Sequence, residues 1–328
     1  MIVYRCSLLQ LRVSCTLDTE GVRGTGSRQL TARIGVFMTL GHDGILPSAG
    51  ALSLCRAGRA ARHRPIAAIG KCAIVARDER TRQVDSMIVL FTDFGLQGPY
   101  AGQMKAVLHQ RAPDIPVIDL FADAPVGNPK ASAYLLAAYA AWFPAGTIFL
   151  CVVDPGVGGT RPSIILEADG RWYVGPGNGL FELVQRRSGE TRSWDIEWKP
   201  ERLSASFHGR DLFAPVAAML ARGEPPPGGP RKNDADRRAD WPDDLCEIVY
   251  VDHFGNAMTG LRAAMLPPNA RLTVTGRVLE RARTFSNRPP GAAFWYGNSN
   301  GLAEIAVNQG RADRELGLAI GIPVEIVS

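Results

Sequence analysis

The sequence predicts an α/β protein in two parts: an N-terminal, mostly parallel sheet covered by helices, and a smaller C-terminal antiparallel β-barrel or sandwich. Three observations predict it. Between residues 87 and 153, apolar runs alternate with helical patterns, as in parallel strands joined by crossover helices. A stretch of glycine and proline at 223–230, followed by charged residues to 240, interrupts that alternation. Beyond it come short strands with turn signals and no convincing helix of ten residues. The predicted organisation is a poorly structured extension over 1–86, an α/β domain over 87–222, a linker over 223–240 and a β domain over 241–328.

Each element has a local reason. Residues 87–92 (MIVLFT) form a continuous apolar run, suited to a strand buried on both faces. The following DFGLQGP is rich in turn residues. Residues 100–111 carry Met104, Val107 and Leu108 at helical spacing. A second strand is predicted at 115–120, an alanine-rich helix at 130–142 behind Pro129, and a third strand at 147–153. Asp169-Gly170 marks a hairpin between strands at 163–168 and 171–174. Short helices follow at 179–186 and 213–221. In the last domain, strands are predicted at 246–251, 271–274, 294–296, 302–307 and 324–327. Judged singly, Phe285, Trp295 and Tyr296 read as core.

Charge and cysteine are unevenly distributed over the 328 residues. Residues 1–86 hold 13 Lys and Arg against 6 Asp and Glu, whereas the rest holds 24 against 26, so the net +5 belongs to the first quarter. The remainder carries no basic footprint for nucleic acid. No apolar run approaches the roughly 18 residues of a membrane span. Cys6, Cys15, Cys55 and Cys72 lie in the basic segment, Cys151 and Cys246 in predicted strands, and none has zinc-type spacing. A reduced, cytoplasmic setting fits this usage. Lacking strand and helix alternation, residues 1–86 are read as the product of an upstream start, with Met87 opening the folded chain. The alternatives are an Arg-rich targeting segment and a genuine extra segment.

The most informative motif is VVDPGVG at 152–158, where Asp154 ends a buried strand and enters a glycine loop leading to Arg161. A carboxylate at the carboxyl end of a central strand faces the crevice in which open α/β sheets bind ligands. Taken alone, Asp154 before Pro155 is an ordinary turn residue. Its company is FHGRD at 207–211, which supplies His208. The loop is no dinucleotide fingerprint or P-loop, because Arg161 stands where a glycine would be needed and no Gly-Lys-Ser/Thr follows. There is no G-x-S-x-G elbow and no metal-type spacing. DHFGN at 252–256 offers Asp252 to a cationic amine and Asn256 to an amide or purine edge; otherwise it is an Asx/Gly turn.

Taken in order, TDFG (92–95), PYAGQMK (99–105), FPAGT (143–147), VVDPGVG, VGPGNG (174–179), FHGRD, DHFGN and NSNGLAEIAVNQG (298–310) resemble the S-adenosyl-L-methionine hydroxide adenosyltransferases. These are hydrolytic relatives of the fluorinases and chlorinases. The resemblance runs from Met87 to the C-terminus. It implies S-adenosyl-L-methionine as substrate, water as nucleophile, no cofactor and no metal. It also implies a homotrimer with active sites between the α/β domain of one chain and the β domain of its neighbour. The family's Asp-Arg-His triad falls on Asp154, Arg161 and His208; the halogenases have Tyr for that Asp and a Ser-bearing motif for His-Gly. The resemblance further assigns Asp252 to the methionine amine, Ser299 to its carboxylate, and Asn256 to the adenine or ribose. Phe207 and Phe285 would line the nucleoside, the backbone at Val307–Gln309 would face adenine, and Asp93 would lie near the ribose. Two departures stand out: Asn300 replaces an arginine of the halogenases, and Gly98 replaces their ribose-holding acid.

These residue types suit that reaction. The sulfonium departs as a neutral thioether, so no acid is required, and the difficulty is the nucleophile, since bulk water has a pKa of about 15.7. Arg161 would stabilise charge developing on oxygen, while Asp154 and His208 orient the water and accept its proton. Because a carboxylate beside arginine is a weakened base, His208 is favoured as acceptor and Asp154 as orienter. The competing readings are a halogenase, betrayed by a 5′-halo nucleoside, and a non-catalytic nucleoside or S-adenosyl-L-methionine binder, betrayed by binding without product.

Overall fold

A computed structural model describes residues 86–232 and 237–327, together with the backbone of three strands nearer the N-terminus. Those strands, Val3–Cys6, Leu9–Leu17 and Ala32–Met38, pair antiparallel within a unit of their own. The other expectations for residues 1–86 lie outside the described residues.

The second unit begins with β1 (Ile88–Thr92), α1 (Tyr100–Arg111), β2 (Val117–Phe121), α2 (Pro129–Ala140) and β3 (Ile148–Val152). The hairpin β4 (Ser163–Ala168) and β5 (Arg171–Pro176), α3 (Glu182–Arg187) and β6 (Thr191–Asp195) follow. A π-helical turn at Gly209–Phe213 then runs into α4 (Ala214–Ala221). The two-residue strand β7 (Pro230–Arg231) completes a seven-stranded sheet of order β7-β6-β4-β5-β3-β1-β2. Pairing is parallel along β2-β1-β3-β5 and antiparallel from β5 to β7, so the sheet is mixed.

Both faces of this sheet are covered, which is why β3 is apolar throughout and β1 is apolar up to Thr92. Val89, Phe91, Phe149 and Cys151 pack under α2 with Tyr134, Leu135 and Leu136. Ile88, Leu90, Ile148 and Leu150 pack on the opposite face against Met104, Leu108 and α4. Helix α2 starts where Pro129 predicts: the Asn128 side chain caps it by accepting from the Ala131 N–H at 3.0 Å. Helix α4 starts behind a π turn, and Pro215 at its first turn has no N–H to continue an α ladder backwards.

The C-terminal part contains two antiparallel sheets. β8 (Leu245–Val251), β9 (Ala257–Arg262), β13 (Leu302–Val307) and β12 (Ala293–Gly297) form one, in the order β8-β9-β13-β12. β11 (Arg277–Leu279), β10 (Arg271–Val274) and β14 (Glu325–Val327) form the other. Their shared core holds Trp295, Ile305, Leu261 and Leu272. The four-residue helix α5 (Ala312–Glu315) lies between β13 and β14.

The sequence reading missed β6, β7, β9 and β11. β9 is the instructive case, because its Gly260 breaks the apolar alternation. A side chain there would meet the Leu245 Cβ at 2.6 Å, so glycine is what lets β8 approach. Part of the predicted linker is structural, since Pro230–Arg231 forms the sheet edge. The two parts also share one core cluster, in which Leu245, Val249, Met258 and Leu302 join Phe121 and Tyr134. Tyr250 Oη donates to Asp123 at 3.0 Å across that junction.

Candidate active site

From β1 the chain moves to β2 on one side and then, through α2, to β3 on the other. The crevice between the carboxyl ends of β1 and β3 is therefore a topological switch point. Asp93 leaves β1 there and Asp154 leaves β3. The Asp93 N–H donates to the Val152 carbonyl at 3.3 Å. Asn178 ties a third strand end to the same place, donating from Nδ2 to the Val153 carbonyl at 2.9 Å.

Arg161 returns across the glycine loop and grips Asp154. Its Nε donates to Oδ1 at 2.9 Å and Oδ2 at 3.0 Å, and its Nη2 donates to Oδ2 as well. The side chains of Arg161 and Asp154 are only 10% and 3% exposed. Nη1 is fixed by Ser163 Oγ at 2.8 Å, and the guanidinium lies 5.3 Å from the Phe213 ring centroid. The loop needs its glycines unequally. Gly158 has φ +76 and presses on the Ala205 backbone, whereas a Cβ on Gly156 would make only ordinary contact with Arg161 Cγ at 3.5 Å.

His208 enters from the start of the π turn. Arg161 Nη2 lies 2.9 Å from its Nδ1. Arginine has only donors, so Nδ1 accepts and the neutral ring carries its hydrogen on Nε2. Burial, then the charge of Arg161, lowers the His208 pKa below its ordinary 6.5, with Asp154 and Asp211 opposing. The ring is therefore neutral near pH 7. Burial raises the Asp93 pKa; the Gly127 N–H at 2.8 Å works against that rise, and the charge of Asp154 adds to it. Phe207 sits beside the triad in a cluster with Phe94 and Tyr100, at centroid distances of 5.8 and 5.4 Å. The sequence reading did not single out either partner.

The remaining predicted residues gather elsewhere. Asp252, Asn256, Phe285, Ser299, Val307 and Gln309 line a cavity of about 640 Å³ between the end of α2 and the four-stranded sheet. Asn256 clamps Asp252, donating from its backbone N–H at 2.8 Å and from Nδ2 at 3.0 Å. One Nδ2 hydrogen is thus engaged and the Asn256 backbone carbonyl accepts from the Asp252 N–H at 3.0 Å, which leaves the side-chain Oδ1 for a ligand. Asn300 Nδ2 donates to Ser299 Oγ at 3.3 Å. Phe285 packs edge-on against Phe294 and Tyr296, both at 5.3 Å. Gln309 holds φ +57, a left-handed backbone uncommon outside glycine. None of Asp93, Asp154, Arg161, Phe207 and His208 lines this cavity. One chain thus assembles the triad and the pocket but does not join them.

The cavity also contains residues the sequence reading missed: Tyr139, Phe254, Tyr296 and above all Glu304. The detectable signal was one acid inside the otherwise apolar run LAEIAV. Among the described residues no group of three or more His, Cys, Asp or Glu could hold a metal, and no helix is long and apolar enough to cross a membrane.

Residues 88–228 match the SAM hydroxide adenosyltransferase N-terminal domain, and residues 246–325 match the C-terminal domain of the same family. An (R)-S-adenosyl-L-methionine hydrolase of Thermus thermophilus is 40% identical over 258 residues, spanning 73% of this chain and 99% of that protein. A fluorinase of Nocardia brasiliensis is 24% identical over 289 residues, spanning 73% and 96%. The crystal structure of an uncharacterized conserved protein from Thermotoga maritima superposes with a TM-score of 0.68 at 30% identity, covering 74% of this chain and 100% of that one. Both domains match in order, along with a relative alike over almost its whole length, and so this chain belongs to the SAM hydroxide adenosyltransferase family.

Proposed function

We propose that this protein is a hydrolase that converts S-adenosyl-L-methionine and water to adenosine and L-methionine. The observation that carries this reading is Arg161 holding Asp154 and His208 together at the switch-point crevice. Water oxygen attacks C5′, the C5′–S bond breaks, and its electron pair stays on sulfur, giving a neutral thioether. One water proton leaves during attack. Asp154 is the acceptor we favour: Oδ1 takes a single hydrogen bond from Arg161 and keeps a lone pair free, whereas the His208 Nε2 carries hydrogen and donates. This reverses the preference drawn from sequence, because the Arg161 contact selects the His208 tautomer. Positioning and charge supply the rate, with no covalent intermediate and no cofactor.

The relatives' name specifies the (R) form of the substrate, and we extend that preference to this chain. We further propose a cytoplasmic homotrimer in which the triad of one copy meets the cavity of the next. Three exposed apolar residues support this: Leu96 and Tyr100 just after β1 (80% and 49% exposed) and Phe254 at the cavity (71%).

The test is to incubate the purified protein with each sulfonium epimer in ¹⁸O-water and separate the nucleosides. The expected result is adenosine labelled at its 5′ oxygen, formed faster from the (R) form. Tight binding without product would reject hydrolysis in favour of a binding protein. A 5′-halo nucleoside in chloride or fluoride would reject it in favour of a halogenase.

A further inference from the structure

Strand β13 is buried at all six positions, and its third residue is a glutamate. Glu304 is 3% exposed and lies directly across from Tyr296 on one neighbouring strand and Met258 on the other. It accepts from Tyr296 Oη at 2.5 Å and from Asn298 Nδ2 at 2.8 Å. Both donors are neutral, and among the described residues no lysine or arginine forms an ion pair with it. A buried carboxylate without a cation is costly, so its retention calls for an explanation. Glu304 lines the cavity, Asp252 is the other acid there, and no lysine or arginine lines it.

We propose that Glu304 is a specificity-determining residue, whose carboxylate makes the cavity select ligands carrying a positive charge at the position of the substrate sulfur. The inference rests on the hydrolase reading and deepens it. S-adenosyl-L-methionine carries a sulfonium, an ammonium and a carboxylate, net +1; its products, adenosine and zwitterionic methionine, are each neutral. Asp252 suits the ammonium, which methionine keeps after reaction. A second carboxylate distinguishes the sulfonium, which exists only before reaction. The same field that holds substrate therefore releases products.

Burial pushes the Glu304 carboxyl above its ordinary 4.5; hydrogen bonds from Tyr296 and Asn298 oppose this, and Asp252 adds to it. The groups facing it are Asp252 after β8, Tyr139 on α2 and Tyr296 on β12. Burial pushes the Tyr139 hydroxyl up to about 12 and raises that of Tyr296 further, so both stay neutral. The charge of Asp252 also acts on Arg311, outside the cavity lining. A bound cation favours the ionised glutamate, and selectivity falls as pH drops through its raised pKa.

The experiment uses two ligands that cannot be hydrolysed. Sinefungin bears an ammonium where the substrate bears its sulfonium, and S-adenosyl-L-homocysteine bears a neutral thioether. Calorimetry on the full chain measures both for wild type and Glu304→Gln, which removes the charge at constant size; the Gln oxygen still accepts from Asn298, and its amide N–H donates to a Tyr296 hydroxyl turned to accept. We expect sinefungin affinity to fall roughly ten- to thirtyfold, with S-adenosyl-L-homocysteine changed by less than about threefold. Parallel losses would reduce Glu304 to an anchor of the Asn298 turn, and unchanged affinities would remove any role; either overturns the proposal. Should the variant not fold, the wild-type affinity ratio of the two ligands is followed from pH 8 to pH 4. Asp252 acts on an amine common to both and largely cancels, so a constant ratio overturns the proposal and a ratio falling with pH supports it. Neither measurement requires turnover, so a protein that binds but does not hydrolyse leaves the inference standing while the hydrolase reading fails.

Discussion

Arg161 gives Nε to both oxygens of Asp154 and shares Nη2 between Asp154 and His208, so one cation fixes both neighbours. Removing it should therefore affect two properties. Arg161→Ala leaves a carboxylate only 3% exposed without its partner, and we expect about 3 kcal/mol or more of lost stability in chemical denaturation. Turnover should drop by about 10²–10³. Asp154→Asn keeps the shape but leaves Arg161, only 10% exposed, facing a neutral amide, so it should lose activity by a similar factor and also lose stability. Unchanged stability in both variants would contradict the buried-pair account. His208 adds a pH signature. Its folded pKa lies below 6.5, so the stability held by the neutral ring is present above 6.5 and is lost as pH falls through the lowered pKa. Protonation also ends the Nδ1 acceptance and sets two cations side by side. A profile of kcat/KM against pH should show an acid limb below 6.5 that His208→Gln abolishes.

At the scale of elements, the site depends on how closely loops can approach strand ends. Gly158 combines φ +76 with contact against the Ala205 backbone, on the loop that leads to Phe207 and His208. Gly158→Ala should cost about 2 kcal/mol or more and separate Arg161 from His208. Gly156→Ala, with only a 3.5 Å contact, should cost less than about 1 kcal/mol. Thermal melting of the pair checks this, and similar shifts for both would mean the loop is not sterically locked. Gly209 is confined less severely, since a Cβ there would lie 3.1 Å from Sδ of the flexible Met104 side chain. The π turn it opens carries His208 towards Arg161, and Asp211 braces that turn by accepting from the Ser204 N–H at 2.9 Å.

For the whole molecule, the informative fact is that the triad and the cavity are not joined within one chain. An interfacial site predicts complementation. In the trimer proposed above, an Asp154→Asn chain and an Asp252→Asn chain, unfolded and refolded together in equal amounts, should regain about one quarter of wild-type activity. Each productive site needs an intact triad from one parent and an intact cavity from the other. No recovery, with each variant inactive alone and correctly folded, would place the complete site within a single chain.

Much of the architecture was legible along the chain. Strands buried on both faces read as near-continuous apolar runs, so β1 and β3 could be read directly, and a DG turn announced the β4–β5 hairpin. β9 could not be read, because its Gly260 reports on the close approach of Leu245 on the paired strand β8 and breaks β9's own apolar pattern. The ordered motifs named Asp154, Arg161 and His208, which lie together at the crevice, and Asp252, Asn256, Phe285, Ser299, Val307 and Gln309, which line the cavity, but not Tyr139 or Glu304. Tertiary structure decided what depends on contacts between distant segments: the His208 tautomer imposed by Arg161, the core shared by the two parts, and a glutamate in an apolar strand that faces a cavity rather than solvent. Those contacts set hydrogen-bond direction and dielectric environment, and neither is a property of local sequence.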